Sequence, residues 1–196
     1  MIRIVLASAS PRRFELLSQL GAPIDVRPAD LDEVVLPGED PVTYVRRLSI
    51  EKAAAVAVVD HDELIIAADT TVDLDGDILG KPVDADDARG LLTRLAGRTH
   101  RVHTGVTVRR GSASATDVTT TLVSFTPITP VGIQWYIATG EPFDKAGGYA
   151  IQGAGGMFVA GVHGSVSNVI GLPLTTVIDL ARSIGVDLIG AGPDLI

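Results

Sequence analysis

The sequence predicts an α/β domain, and three observations lead there. Short apolar runs of strand length alternate with segments of helical spacing. Helix starts are marked by Ser10-Pro11, Asp40-Pro41 and Thr129-Pro130, in which a capping side chain precedes a proline suited to the first helical position. Glycines then stand where those periodic stretches stop, at Gly21, Gly97, Gly140 and Gly185.

Taken in order, Ile2–Ala7 reads as a first strand that runs into a helix over Pro11–Leu20. Asp40-Pro41 opens a second helix reaching about Val59. Leu64–Ala68 is a short apolar run, read as a buried strand. Val72–Leu74 and Asp77–Leu79 flank Asp75-Gly76, a strong two-residue hairpin signal. Asp84 caps a helix carrying Ala88, Leu91, Leu92 and Leu95. Thr99–Arg109 and Thr116–Phe125 read as two long strands joined around Gly111-Ser112. A helix from Thr129-Pro130 and a last one from Pro173 complete the pattern, with a tail expected to fray. Glycines cluster between Gly140 and Gly171, the signature of tight turns or of backbone lying close to a ligand.

A chain of 196 residues suits one domain over 1–196, with room for two lobes around a cleft. The formal charge of −8 argues against a nucleic-acid partner, whose binders carry a basic face. No run of 18 apolar residues suggests a membrane span, and the apolar part of MIRIVLASAS is too short for a signal peptide. Without cysteine there is no disulfide, thiolate nucleophile or zinc–sulfur site, which suits a cytoplasmic protein. His100 and His103 lie three apart in a strand and so face opposite sides, unlike a metal-binding pair; His61 and His163 have no evident partners.

Within LASASPRRFELLSQLG, Arg12 and Arg13 fall in the first turn of a helix, where its dipole opposes cations by about 0.3–1 kcal/mol each. An anion bound there reverses the sign and uses the free N–H groups, so the segment reads as a phosphate grip rather than as two solvated arginines. Lys52 continues the core-facing stripe Val45, Leu48, Ser49, Val56 and must either snorkel or meet an anion. Asp69, following the apolar run Ile65–Ala68, is expected just beyond a buried strand, where α/β sheets bind ligands. Leu79-Gly80-Lys81-Pro82 adds a fourth cation but is no P-loop, since Gly76 is too near and Pro82 replaces Ser or Thr. No Gly-x-Ser-x-Gly elbow surrounds Ser165 or Ser167. Phosphoanhydride hydrolysis needs cations, a metal ion and a group acting on water. Arg12, Arg13, Lys52 and Lys81 could supply the first; Asp69, with Glu33 from the acidic stretch Asp30–Glu33, could supply the others. These residues leave open whether Asp69 is base or metal ligand.

At this point LASASPRR with Leu16-Leu17, Lys52-Ala53, AADTTV at 67–72, LGKP at 79–82, GRTHRVHTGV at 97–106, GEPFDKAGGYAIQG at 140–153 and NVIGLPL at 168–174 resemble the Maf family. The resemblance is collinear over nearly the whole chain. It implies an ITPase-like fold, with an elongated, mixed, twisted sheet flanked by helices and two lobes around a central cleft. It implies a hydrolase of nucleotide metabolism that releases pyrophosphate from a nucleoside triphosphate with Mg²⁺ or Mn²⁺, acting as a homodimer, in a family historically linked to septum formation. Asp69 matches the family's proton acceptor, and Arg12, Thr70 and Gln152 match positions of substrate choice. Arg13, Lys52 and Lys81 match phosphate-contacting positions, and Glu33 an acidic one in the pocket. Asp69-Thr70 with Ile151-Gln152-Gly153 resembles the branch preferring dTTP and UTP. Gln152 carries the donor and acceptor that the imide edge of thymine or uracil requires. The alternative is a nucleotide-binding regulator of cell division without catalysis. Val166 and Ser49 depart from the family, where an aromatic and an alanine are common.

Overall fold

The computed structural model describes residues 2–60 and 62–189; His61 and the tail from 190, read from the sequence as frayed, lie outside the described residues. Among the described residues, seven strands form one mixed sheet. β1 (Arg3–Leu6) pairs in parallel with β2 (Ile24–Val26) on one side and with β3 (Glu63–Leu74) on the other. β3 then pairs antiparallel with β5 (Thr99–Arg110), β5 with β6 (Ala113–Phe125), and β6 with β7 (Val159–His163). β4 (Asp77–Leu79) folds back on the end of β3. The turn between them holds Asp75 at φ 59° and Gly76 at φ 92°, the positive angles that a two-residue hairpin needs.

One edge of β3 decides where the site lies. β1 covers that edge from Glu63 to Ile66 and β4 covers it from Val72 to Leu74. Between them the stretch around Asp69 and Thr70 has no strand beside it, while the other edge pairs with β5 without interruption from Ile65 to Asp73. Asp69 therefore sits inside a twelve-residue strand, not just past the end of a five-residue one. The reason is the unbroken register with β5, a long-range pairing that outweighs the low strand propensity of aspartate.

Helices cover both faces: α1 (Pro11–Ser18), α2 (Pro41–Ala55), α3 (Ala85–Leu95), α4 (Pro130–Ala138), α5 (Val166–Ile170) and α6 (Leu174–Ser183). Asp40, Asp84 and Thr129 cap their helices as the sequence predicts, each accepting backbone N–H groups of the first turn. Ser10 holds the N-cap position without a side-chain capping bond. Its own N–H donates to Ser8 Oγ at 3.2 Å. α2 stops at Ala55, short of the predicted Val59.

On one face two apolar cores lie end to end. The first joins Ile4, Leu64, Ile66 and Val106 to Leu17 of α1 and Val177 of α6. The second joins Val72, Leu74 and Val102 to Leu92 of α3 and Tyr136 of α4. Between them the same face carries Thr70 and Thr104, whose hydroxyls meet at 2.9 Å. This polar gap divides the molecule into the two lobes that the sequence predicts. α2 covers the opposite face over Ile65 and Ala67. It comes so close that a Cβ on Gly105 would stand 2.2 Å from the Val45 carbonyl oxygen. Arg27 ties β2 to β3, donating to Asp25 Oδ2 at 2.7 Å and to both carboxylate oxygens of Glu63 at 2.7 and 2.9 Å. Among the described residues, no helix is long and apolar enough to cross a membrane.

Candidate active site

The gap in the sheet edge opens into a cleft of about 370 Å³, within the usual range of small-molecule sites. Arg12, Arg13, Glu33, Lys52, Asp69, Thr70, Lys81 and Gln152 all line it. A contiguous hollow of about 300 Å³ lies against Tyr44 and Gly80 and shares Glu33, Asp69, Thr70 and Lys81 with it. Every residue that the sequence singles out as a candidate thus faces one space, although they come from six separate stretches of chain.

Lys52 stands at its centre. The α2 stripe buries the side chain, so snorkelling is not the outcome: Nζ lies 2.6 Å from Asp69 Oδ1 and 2.6 Å from Glu33 Oε1. One buried ammonium therefore gathers two carboxylates. Burial is the largest influence on Asp69 and pushes its carboxyl above the ordinary range, against the pull of Lys52 and Arg13. Burial pushes Glu33 the same way. There the hydrogen bond and charge of Lys52, with Lys81 and Arg13, prevail and hold it below its usual value. Two neighbouring carboxyls are thus driven in opposite directions by their surroundings.

The adjacent arginines of α1 part company. Arg13 is half-buried and donates from Nε to the Gly171 carbonyl at 2.8 Å, from Nη1 to Ser8 Oγ at 3.1 Å and from Nη2 to Thr70 Oγ1 at 3.0 Å. It locks α1 and the end of α5 onto β3, and burial lowers its pKa despite the attraction of Asp69 and Glu33. Arg12 instead reaches across the mouth of the cleft to Asp144 Oδ2 at 3.2 Å, an ion pair open to solvent and correspondingly weak. The pair that reads as a single grip in the sequence is thus a hydrogen-bonded brace and a loosely tethered cation at the entrance.

The sequence reading passes over Ser8, Lys145 and Tyr149, which also line the cleft. Ser8 orients Arg13, and the only signal for it is its place two residues before the N-cap. Lys145, also lining the cleft, is the one cation amid the glycine cluster; its Nζ donates to the Glu141 carbonyl at 2.8 Å and pairs with Asp144. Tyr149 meets His100 Nε2 at 2.8 Å. His103 turns to the other face and meets Asp73 Oδ2 at 3.1 Å and Thr120 Oγ1 at 2.8 Å. Ser49, the departure from the family's alanine, bonds Thr107 Oγ1 at 2.9 Å beneath the lysine.

Among the described residues, no three or more His, Cys, Asp or Glu side chains converge as a ready-made metal site. The two carboxylates around Lys52 are hard oxygen donors. Mg²⁺ commonly takes one or two of these and completes its shell with substrate phosphates and water. The donor set therefore fits a divalent cation that arrives with a phosphorylated ligand.

A family model described as "Maf-like protein" matches residues 3–184. A protein named dTTP/UTP pyrophosphatase from Anaeromyxobacter sp. (strain Fw109-5) is 57% identical over 188 residues, covering 93% of this chain and 90% of that one. Its namesake from Myxococcus xanthus (strain DK1622) is 51% identical over 185 residues, 94% of each chain. Another from Moorella thermoacetica (strain ATCC 39073 / JCM 9320) is 47% identical over 192 residues, 97% of this chain and 99% of that one. The solved HAM1 protein from Coxiella burnetii resembles the fold with a TM-score of 0.44 at 16% identity, over 64% of this chain and 73% of that one.

Proposed function

The chain belongs to the Maf-like protein family, and from that premise we propose that it hydrolyses dTTP and UTP to the nucleoside monophosphate and pyrophosphate. The observation that carries the reading is the buried Lys52 bridging Asp69 and Glu33 in a cleft that Arg12, Arg13, Lys81, Lys145 and the Gln152 amide also line. In this reading the base enters towards Gln152, whose amide donates and accepts along the imide edge of a pyrimidine. The triphosphate runs towards Lys81 and Lys52, and Arg12 exchanges Asp144 for a phosphate oxygen as the ligand seats. Such cations stabilise charge as it builds on the leaving pyrophosphate.

Asp69 accepts the proton of a water whose oxygen attacks the α-phosphorus. The P–O bond to the bridging oxygen breaks, and its electron pair leaves with pyrophosphate. Lys52 fixes the Asp69 carboxylate by its Oδ1, leaving the second oxygen for the water. Asp69 and Glu33 would hold Mg²⁺ or Mn²⁺, which when bound screens the phosphate charge. A single domain over 1–196, a homodimer and a cytoplasmic setting belong to the same proposal, the last supported by the lack of cysteine.

The test is a panel of nucleoside triphosphates incubated with the protein and Mg²⁺, scored separately for pyrophosphate and single phosphate. The reading expects pyrophosphate, fastest from dTTP and UTP, and its loss with a chelator. Stepwise release of single phosphates, or tight dTTP binding without product, would overturn it.

A further inference from the structure

Beyond Gln152 and Asp144, the glycine-rich stretch has no role in the chemistry above, yet its geometry is closely determined. Glu141 opens a 3-10 turn over Glu141–Asp144 just after α4. Its half-buried carboxylate faces back into the loop that carries Gln152. Oε1 accepts from the Tyr136 hydroxyl at 2.7 Å and from the Gly155 N–H at 3.0 Å; Oε2 accepts from the Ala154 N–H at 2.9 Å. The Tyr136 oxygen in turn accepts from the Ala150 N–H at 3.2 Å. Tyr136 is itself fixed, wholly buried with its ring edge-on to Phe158 at 5.2 Å.

The glycines are what let the loop close so tightly. A Cβ on Gly153 would stand 2.2 Å from Glu141 Oε2, and one on Gly155 would stand 2.6 Å from the Tyr136 hydroxyl. One on Gly156 would meet the Ile151 carbonyl oxygen at 2.5 Å. The backbone is thus held at Ala150 on one side of Gln152 and at Ala154 and Gly155 on the other. Gln152 is left exposed in the cleft between them. Burial pushes the Glu141 carboxyl up, but the bonds from Gly155, Tyr136 and Ala154 outweigh it and keep the group ionised. Charge-assisted bonds of this kind are roughly twice as strong as neutral ones. A side chain that must read a base by paired hydrogen bonds has to be held to about 0.5 Å.

We infer that Glu141, working with Tyr136, is the positioning residue that sets Gln152 against the base and so fixes which nucleotide is accepted. This rests on the proposed function, because it specifies how that site discriminates.

The experiment measures kcat and KM for dTTP and, as the mismatched base, GTP in the wild type, Glu141→Gln, Glu141→Ala, Tyr136→Phe and Gln152→Ala. Glu141→Ala is expected to raise the dTTP KM and to cut the dTTP-over-GTP ratio of kcat/KM, each by about tenfold or more. The dTTP kcat should stay within about threefold, because Asp69, Lys52 and Glu33 stand on other segments. Glu141→Gln keeps an oxygen for Tyr136 and Gly155 but turns an amide towards the Ala154 N–H, so it should fall between.

In a Gln152→Ala background, Glu141→Ala should change the ratio by less than about twofold, since both act through one contact. Amide exchange at Ala150, Ala154 and Gly155 should quicken by at least about tenfold, with β3 unchanged. If Glu141→Ala does not fold, Glu141→Gln and Tyr136→Phe carry the same comparisons. Discriminating wild type with unaltered ratios in the variants overturns the inference. So do an equal fall in kcat for both nucleotides and effects that multiply with Gln152→Ala. Wild type that treats the two nucleotides alike overturns the pyrimidine reading, and the base-setting role falls with it.

Discussion

Replacing Asp69 with asparagine separates the chemistry of the site from its structural cost. The raised Asp69 carboxyl means that burial outweighs the attraction of Lys52 and Arg13, so the folded protein carries the charge at a net cost. Each unit of such a displacement corresponds to about 1.4 kcal/mol at neutral pH. Asparagine relieves that cost and keeps an oxygen for Lys52, whose charge still meets Glu33 at 2.6 Å. Asp69→Asn should therefore be as stable as the wild type at pH 7, or more so. One kcal/mol would register as about 2–4 °C in a chain of this size.

The sign also fixes the pH dependence. A carboxyl raised on folding binds its proton more tightly in the native state, so it favours folding in acid and opposes it as pH rises past the unfolded value. The variant's advantage should accordingly be small near pH 3 and grow towards pH 7. Pyrophosphate release should fall about a thousandfold, the middle of the range for a general base. Thermal melts at several pH values and single-turnover assays with dTTP and Mg²⁺ read the two effects. A variant destabilised by more than about 1 kcal/mol at pH 7 would contradict the electrostatic argument. Turnover within about tenfold of wild type would remove Asp69 from the reaction.

Two further outcomes follow from the same charges. Lys52→Met leaves Asp69 and Glu33 facing each other without their shared ammonium; it should cost about 3–5 kcal/mol in denaturant unfolding and abolish turnover, and adding Asp69→Asn should restore part of the stability but no activity. Glu63, held at about 2 by the Arg27 hydrogen bonds, favours the fold above its unfolded value near 4.5 and loses that contribution as pH falls towards 2. Melting temperatures of Glu63→Gln should therefore decline less steeply than wild type across that acid window, and an unchanged slope would rule out the pair as its cause.

Much of this protein could be read from the residues in order. The caps at Asp40, Asp84 and Thr129 and the Asp75-Gly76 turn come out as expected, because each depends on bonds within a few positions of chain. The list of candidate site residues was equally legible, since motifs survive as strings whatever their spacing in space. What those residues do to one another was not. Lys52 meets Asp69 across 17 positions, and Arg13 meets Thr70 across 57 and Gly171 across 158. No local signal distinguishes Arg13, a brace with three partners, from Arg12, a tether to Asp144, because the difference lies in what α5 and the Asp144 turn bring up to each.

By itself, then, the sequence determined the family, the alternation of strands and helices, and the side chains available for phosphate chemistry. Only the tertiary structure decided that β3 runs unbroken through Asp69, that β1 and β4 leave its edge open there, and that Glu141 holds the loop of Gln152. The physical reason is that sheet register and side-chain burial are set by pairings between distant segments, whose energies no short stretch of chain contains.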